Sequence, residues 1–353
     1  MYTQKVFRGR DMMRWTRFEI YGFAIYVVVI TSVYFFFDIQ WLKIPWTPLA
    51  LIGTAVAFVI GFQNNAAYGR IWEARKIWGG VVNTSRTFGM FVQDMVTAER
   101  AKEGVDPDEL KEEVRVLTYR HIAWMTALRH SMRASKPWET VLNEKSNREW
   151  TQIVHPPEWD VYIEDDLMPY LGKEDLKYVM GKGNKQTAVL YCQSHHLRAL
   201  KERGLIWEFA FLQLERVLEE LFTLQGKSER IKNFPYPRHF ATLNHYFMWI
   251  FVWLLPFAIV PQFAEIGAEI AEHHPIVGNQ FIWLAMPFYV IVAWVFHTME
   301  RIGRTGENPF EGSANDVPIS TIARGIEIDL RQNLGETGEE IPDQFEVIND
   351  TQM

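Results

Sequence analysis

The residues in this sequence that could do chemistry are few, and most stand in patterns that covalent chemistry does not use. Among ten histidines are two adjacent pairs, His195-His196 and His273-His274. Neighbours on a helix point to different faces, so neither pair has the spacing that chelates one metal. The single cysteine, Cys192, excludes an intrachain disulfide framework and fits a reducing interior; it reads as a buried or inert thiol. HExxH, CxxC, P-loop and GxSxG motifs are absent. More unusual is the stretch 61–80, GFQNNAAYGRIWEARKIWGG, where an aromatic is followed by three amides and then by a basic, Trp-bearing face. Thr54, Phe58 and Phe62 recur at i, i+4 and i+8 and so stack on one helical face. Two readings fit that stripe. It is packing or lipid-facing surface, or several copies surround an axis and the stripe forms a narrow apolar constriction. Phenylalanine ring edges are the positive end of the ring quadrupole, and apolar constrictions gate by dewetting. The chemistry would then be selection of ions.

The elements that must position this stripe are apolar blocks. Mean hydropathy is only −0.11, but the average hides segregation, with 24 Phe and 14 Trp concentrated in a few uncharged runs. Ile20–Phe37 carries no charge and is long enough to cross a hydrocarbon core; bulky YFFFDIQW follows it where a signal-peptide cleavage site needs small residues. Ile44–Gly69 is the second block, opened by Pro45 and Pro48. The third runs from Phe240 to Ala264 and the fourth from Pro275 to Met299. Lys5, Arg8, Arg10, Arg14 and Arg17 precede the first block, and Arg70, Arg75 and Lys76 follow the second. Lys227, Arg230, Lys232 and Arg238 precede the third, and Arg301 and Arg304 follow the fourth. The connectors inside the pairs hold only Lys43, or no Lys or Arg at all. The positive-inside rule therefore puts both termini and the central region in the cytoplasm of a cell inner membrane.

The organisation expected is all-α. Residues 1–19 form a cytoplasmic segment, 20–69 a first transmembrane hairpin and 70–239 a large helical cytoplasmic body. A second hairpin spans 240–299, a C-terminal helical region 300–333, and an acidic, flexible tail 334–353. Asp106-Pro107 marks a helix start, with Leu110, Val114, Leu117 and Met125 at helical spacing after it. No block contains Asp, Glu, Lys or Arg, which argues against an ion-coupled carrier, and an enzyme is less favoured still. His245 reads as the only readily ionisable residue inside a span, either functional or hydrogen-bonded between helices. The net charge of −7 offers no nucleic-acid footprint, and no cofactor or metal is expected.

Residues 61–86, GFQNNAAYGRIWEARKIWGGVVNTSR, resemble the bacterial branch of the bestrophin family, as does NPFEGSANDVPISTIARGIEIDL after the fourth block. Together the two motifs frame a resemblance over about residues 5–333. It implies a homopentameric channel in the lipid bilayer, chiefly for chloride and other small anions, with the second span lining a central pore. Counted from Gly61, the family's neck positions fall on Phe62, Phe58 and Thr54, the last a departure that makes the outermost ring wetter. A second, cytoplasmic aperture is expected at Leu218, with Leu214 and Leu221 as alternatives, and Asn64 and Asn65 as polar residues at the pore exit. Animal members bind calcium after NPFG; here Asn315 and Asp316 replace a run of carboxylates, so a site is weak or absent and these residues shape a turn. Glu265, Glu269 and Glu272 at the outer mouth would instead concentrate cations, which keeps a monovalent-cation channel as the alternative. A membrane-anchored binding or signalling module is a third reading.

Overall fold

The structure, a computed structural model, describes residues 1–37, 40–101 and 104–353. Asp38 and Ile39 of the first hairpin connector, and Lys102 and Glu103 of the cytoplasmic body, lie outside the described residues. Among the described residues thirteen α-helices follow in chain order: α1 Gly9–Phe37, α2 Trp46–Met95, α3 Pro107–Arg133, α4 Lys145–Thr151, α5 Ile163–Leu167, α6 Lys173–Met180, α7 Lys185–Arg203, α8 Glu208–Asn233, α9 Arg238–Leu254, α10 Pro256–Ala271, α11 Pro275–Gln280, α12 Ala285–Gly306 and α13 Ile319–Asn333. Among the described residues there is no strand, only isolated bridges at the termini.

Four helical stretches among the described residues are long and apolar enough to cross a membrane: α1, α2, α9 with α10, and α11 with α12. The third breaks at Leu255 because Pro256 opens α10 and cannot donate into the preceding turn. The outer end of α10 runs on to Ala271, so most of the connector 265–274 is helix. There α10 and α11 meet backbone to backbone. A Cβ on Gly278 would lie 2.4–2.5 Å from Ala271 and Gly267 backbone atoms, so neither glycine of this crossing can grow a side chain. The fourth stretch also bends, through a 3₁₀ turn at Phe281–Leu284.

The core falls into two clusters. One joins α1, α2, α9, α10 and α12 through Phe23, Val27, Val56, Ile60, Met248 and Tyr289. The other fills the cytoplasmic body with Trp78, Phe88, Trp124, Leu128, Leu214 and Leu330. α2 belongs to both: at 50 residues it is about 75 Å long, leaves the apolar layer and becomes the body's central strut. Asp106 caps α3 by accepting from the Asp108 amide at 3.0 Å, with Pro107 behind it.

The stretch 334–353, expected to be flexible, folds back on the chain. Thr321 N donates to Met353 O at 2.7 Å, Thr3 N to Asp350 O at 2.8 Å, and Arg8 pairs with Asp350 at 2.5 Å. Arg129 and Arg324 sit over the Phe345 ring. One aromatic and one well-placed aspartate thus find cationic partners that composition alone does not reveal.

Candidate functional site on the long helix

α2 is divided lengthwise. Gly53, Val56, Ile60, Gln63, Ala67, Ala74, Trp78 and Val81 are buried against the rest of the chain. The opposite face stays open: Phe58 is 65% exposed and Phe62 67%, with Thr54 and Asn65 exposed beside them and Tyr68 and Trp72 further along. The Phe58 and Phe62 rings lie 5.9 Å apart, tilted by 51°. They form one wall of an open groove of about 850 Å³ flanked by Phe251, Val292 and Phe296. Two bulky aromatics are thus left uncovered by their own chain. Nothing among the described residues covers them. Thr54 Oγ1 donates to Ala50 O at 2.9 Å, so its proton is held by the helix and the stripe receives only the oxygen's lone pairs and a methyl group.

The amides after Phe62 do different things. Gln63 is 1% exposed; its Nε2 donates to Glu307 Oε1 at 2.7 Å and its Oε1 accepts from Asn244 Nδ2 at 3.1 Å. Arg238 donates to the other Glu307 oxygen at 2.9 Å. Burial pushes the Glu307 carboxyl above the ordinary range, while Gln63 and Arg238 pull it back down. Arg70 adds a clamp, donating to Glu307 O at 2.7 Å and to Ile231 O and Phe234 O at the end of α8, where carbonyls lack helical partners. Asn64 is turned to α12: its Oδ1 is buried, and a Cβ on Gly303 would lie 2.3 Å from it. Of the two amides assigned to the pore exit, only Asn65 shares the open face with Phe62.

The three leucines expected at the cytoplasmic aperture differ in their surroundings. Leu214 and Leu221 are fully buried in the body's own core, and Leu218, 3% exposed, also lines an open surface pocket with Glu215, Glu219 and Phe222. The apolar residues that α8 does expose are Phe209, Leu212 and Phe222.

His245 bridges helices. Trp249 Nε1 can only donate, so His245 Nε2 accepts at 3.1 Å and Nδ1 carries the proton toward Glu300 Oε1 at 3.2 Å. His297, which the sequence reading left to the flank, packs edge-on against the Phe23 and Trp249 rings. His196 lies between Glu113 and Arg120, and among the described residues no His, Cys, Asp and Glu cluster suits a metal. Burial pushes the Cys192 thiol up to about 11, away from nucleophile chemistry. Asp316 shapes its turn by accepting from the Phe310, Gly312 and Val317 amides at 2.6–2.8 Å and from Arg133 Nη1 at 2.8 Å.

A chain with four apolar helical stretches, a helical body and one long helix bare along a single face is a multi-pass helical membrane protein. It belongs to the bestrophin family: the profile described as Bacterial/Fungal Bestrophin protein matches residues 14–271 and 275–332. The chain is 28% identical over 302 residues to the voltage-dependent anion channel-forming protein RSc3414 of Ralstonia nicotianae, covering 84% of this chain and 81% of that one. It is 25% identical over 291 residues to the voltage-dependent anion channel-forming protein YneE of Escherichia coli, covering 82% and 77%. A crystal structure of a bacterial bestrophin homologue from Klebsiella pneumoniae shares the fold with a TM-score of 0.70 at 20% identity, over 91% of this chain and 99% of that one.

Proposed function

We propose that this protein is a passive channel for small anions, chloride among them, formed by five copies around an axis lined by α2. The carrying observation is the exposure of Phe58 and Phe62 in one stripe with Thr54, on the side of α2 opposite the face that packs against the rest of the chain. In the assembly the three positions form stacked rings. The aromatic edges present positive quadrupole density to a partly dehydrated anion, and the apolar rings hold the closed pore dry. Asn65, one turn inward, offers amide donors where the ion regains water. The names of the relatives, as anion channel-forming proteins, support the sign of the ion. The positive flanks of the spans support an inner-membrane orientation with both termini, residues 70–239 and residues 300–353 in the cytoplasm.

Purified protein in liposomes and planar bilayers tests this reading. Chloride flux without a coupled gradient, and reversal potentials in asymmetric KCl that follow chloride, are expected. Reversal at the potassium potential would establish the cation channel instead, and no flux from a properly assembled oligomer would leave a membrane-anchored module.

A further inference from the structure

The open face of α2 does not end at Asn65. Lys76 lies 18 residues beyond Phe58, five full turns, and therefore returns to the same face about 27 Å farther along the helix. It is exposed. Arg75 beside it points about 100° away around the helix. α8 runs antiparallel alongside: Glu73 pairs with Arg230 at 2.5 Å, and a Cβ on Gly80 would touch Leu224 Cδ2 at 2.8 Å. These two crossings bracket the register and bring Lys227, also exposed, to the level of Lys76 and to the same side of α8 as Arg230.

Among the described residues neither lysine has a hydrogen bond or an ion pair. The carboxylates nearest in sequence are committed elsewhere. Glu73 is held by Arg230, and Glu229 accepts from Asn184, Gln186 and Gln225 on the other side of α8. Glu219 and Glu220 lie two turns away along the helix. Each copy thus carries two uncompensated ammonium groups on the strut that continues the pore stripe into the cytoplasm.

We infer that Lys76 and Lys227 form a basic collar in the conduction path where it enters the cytoplasmic body, about 27 Å from Phe58 along α2, a site that gathers small inorganic anions and sets the channel's selectivity for them. This rests on α2 lining the pore. The Phe58 and Phe62 rings offer quadrupole density but no net charge, and of the outer acidic residues Glu265 is paired with Lys43 while Glu269 and Glu272 carry charge that acts against anions. A like-signed ring facing an aqueous vestibule raises the local concentration of counter-ions by about tenfold or more and excludes co-ions. The collar supplies charge that the constriction lacks.

The test compares full-length wild type, K76Q/K227Q, K76E/K227E and F58A/F62A in planar bilayers under asymmetric KCl. Both lysines are exposed and unpaired, so the charge variants fold and assemble. At about 0.01 M salt, where the Debye length is roughly 30 Å, the chloride-to-potassium permeability ratio is expected to drop severalfold in K76Q/K227Q. In K76E/K227E it should drop by about tenfold or more. At about 1 M, where the Debye length is roughly 3 Å, the variants should converge. As a second readout, Lys76→Cys in a Cys192→Ser background should lose current to a cytoplasmically applied anionic thiol reagent. An unchanged ratio in K76E/K227E at low salt, with altered current in F58A/F62A, overturns the collar alone. Unchanged behaviour in both overturns the pore stripe as well.

Discussion

Gln63 and Glu307 meet, 244 residues apart in sequence, in a buried hydrogen bond of 2.7 Å that fixes the long helix to the loop leaving α12. The bond sits where the apolar layer ends, and Asn244 from α9 and Arg238 complete it. Three of the four membrane-crossing stretches are thereby joined at one level by side-chain amides and a carboxylate. The open face of α2 is held in place from behind.

Removing that support should cost stability without touching the stripe. Gln63→Ala leaves the Asn244 amide and one Glu307 oxygen without a partner, at about 1–3 kcal/mol. A lowered midpoint in a thermal melt followed by size-exclusion chromatography is the expected result. Asn65→Ala, on the open face, should stay within about 0.5 kcal/mol. Equal midpoints for the two variants would contradict the asymmetry between neighbouring amides.

The paired Phe58→Ala, Phe62→Ala variant should conduct more, not less. Both rings are exposed in the protomer, so their loss leaves no internal cavity and assembly survives. Widening the two narrowest rings removes the dewetting barrier, and single-channel conductance or open probability rises severalfold. Currents like those of wild type from intact oligomers would return the stripe to packing surface.

Much of this arrangement was legible in the sequence, and the limit has a physical cause. Uncharged blocks bounded by Lys and Arg are set by transfer energies, so the spans and the Asp106-Pro107 helix start could be read directly. Helical period shows which residues share a face but not which side that face is turned to. Thr54, Phe58 and Phe62 lie on an outward stripe of α2, whereas Leu214, Leu218 and Leu221 form the inward stripe of α8, and the two patterns look alike. Gln63 and Asn64 are the same problem at single-residue scale. Their direction depends on Glu307 and Gly303, which only the fold brings near.

Buried Glu311 gives the body a pH dependence. It is 1% exposed, accepts from Thr140 N at 3.0 Å and Thr140 Oγ1 at 3.1 Å, and has no cation paired with it among the described residues. Burial pushes its carboxyl from 4.5 up to about 8, and Asp316 and Glu139 act the same way. Between those values the folded state keeps a proton that the unfolded state has lost. Stability from this group is therefore full below about pH 4.5 and falls as pH rises toward 8, by up to about 1.4 kcal/mol per unit. Glu311→Gln keeps an acceptor for Thr140 and cannot ionise. Its melting midpoint should exceed that of wild type at pH 8 and match it at pH 5, and parallel pH profiles would show that the carboxyl titrates as an ordinary one.

Thr54→Val isolates the one polar atom on the outer part of the stripe. The hydroxyl proton is already given to Ala50 O, so what a passing ion or water meets is an acceptor oxygen rather than a donor. That oxygen wets the outer ring but does nothing to stabilise an anion. Valine replaces it with a methyl of nearly the same size, extending the dry zone of Phe58 and Phe62 by one helical turn. Stability should change by no more than about 0.5 kcal/mol, because the position is exposed. Conductance should fall, since a longer apolar neck dewets more readily. Selectivity between chloride and potassium should stay as in wild type, which single-channel recording with reversal potentials measures together. A rise in conductance, or a selectivity shift, would place the Thr54 oxygen among the ion's direct ligands.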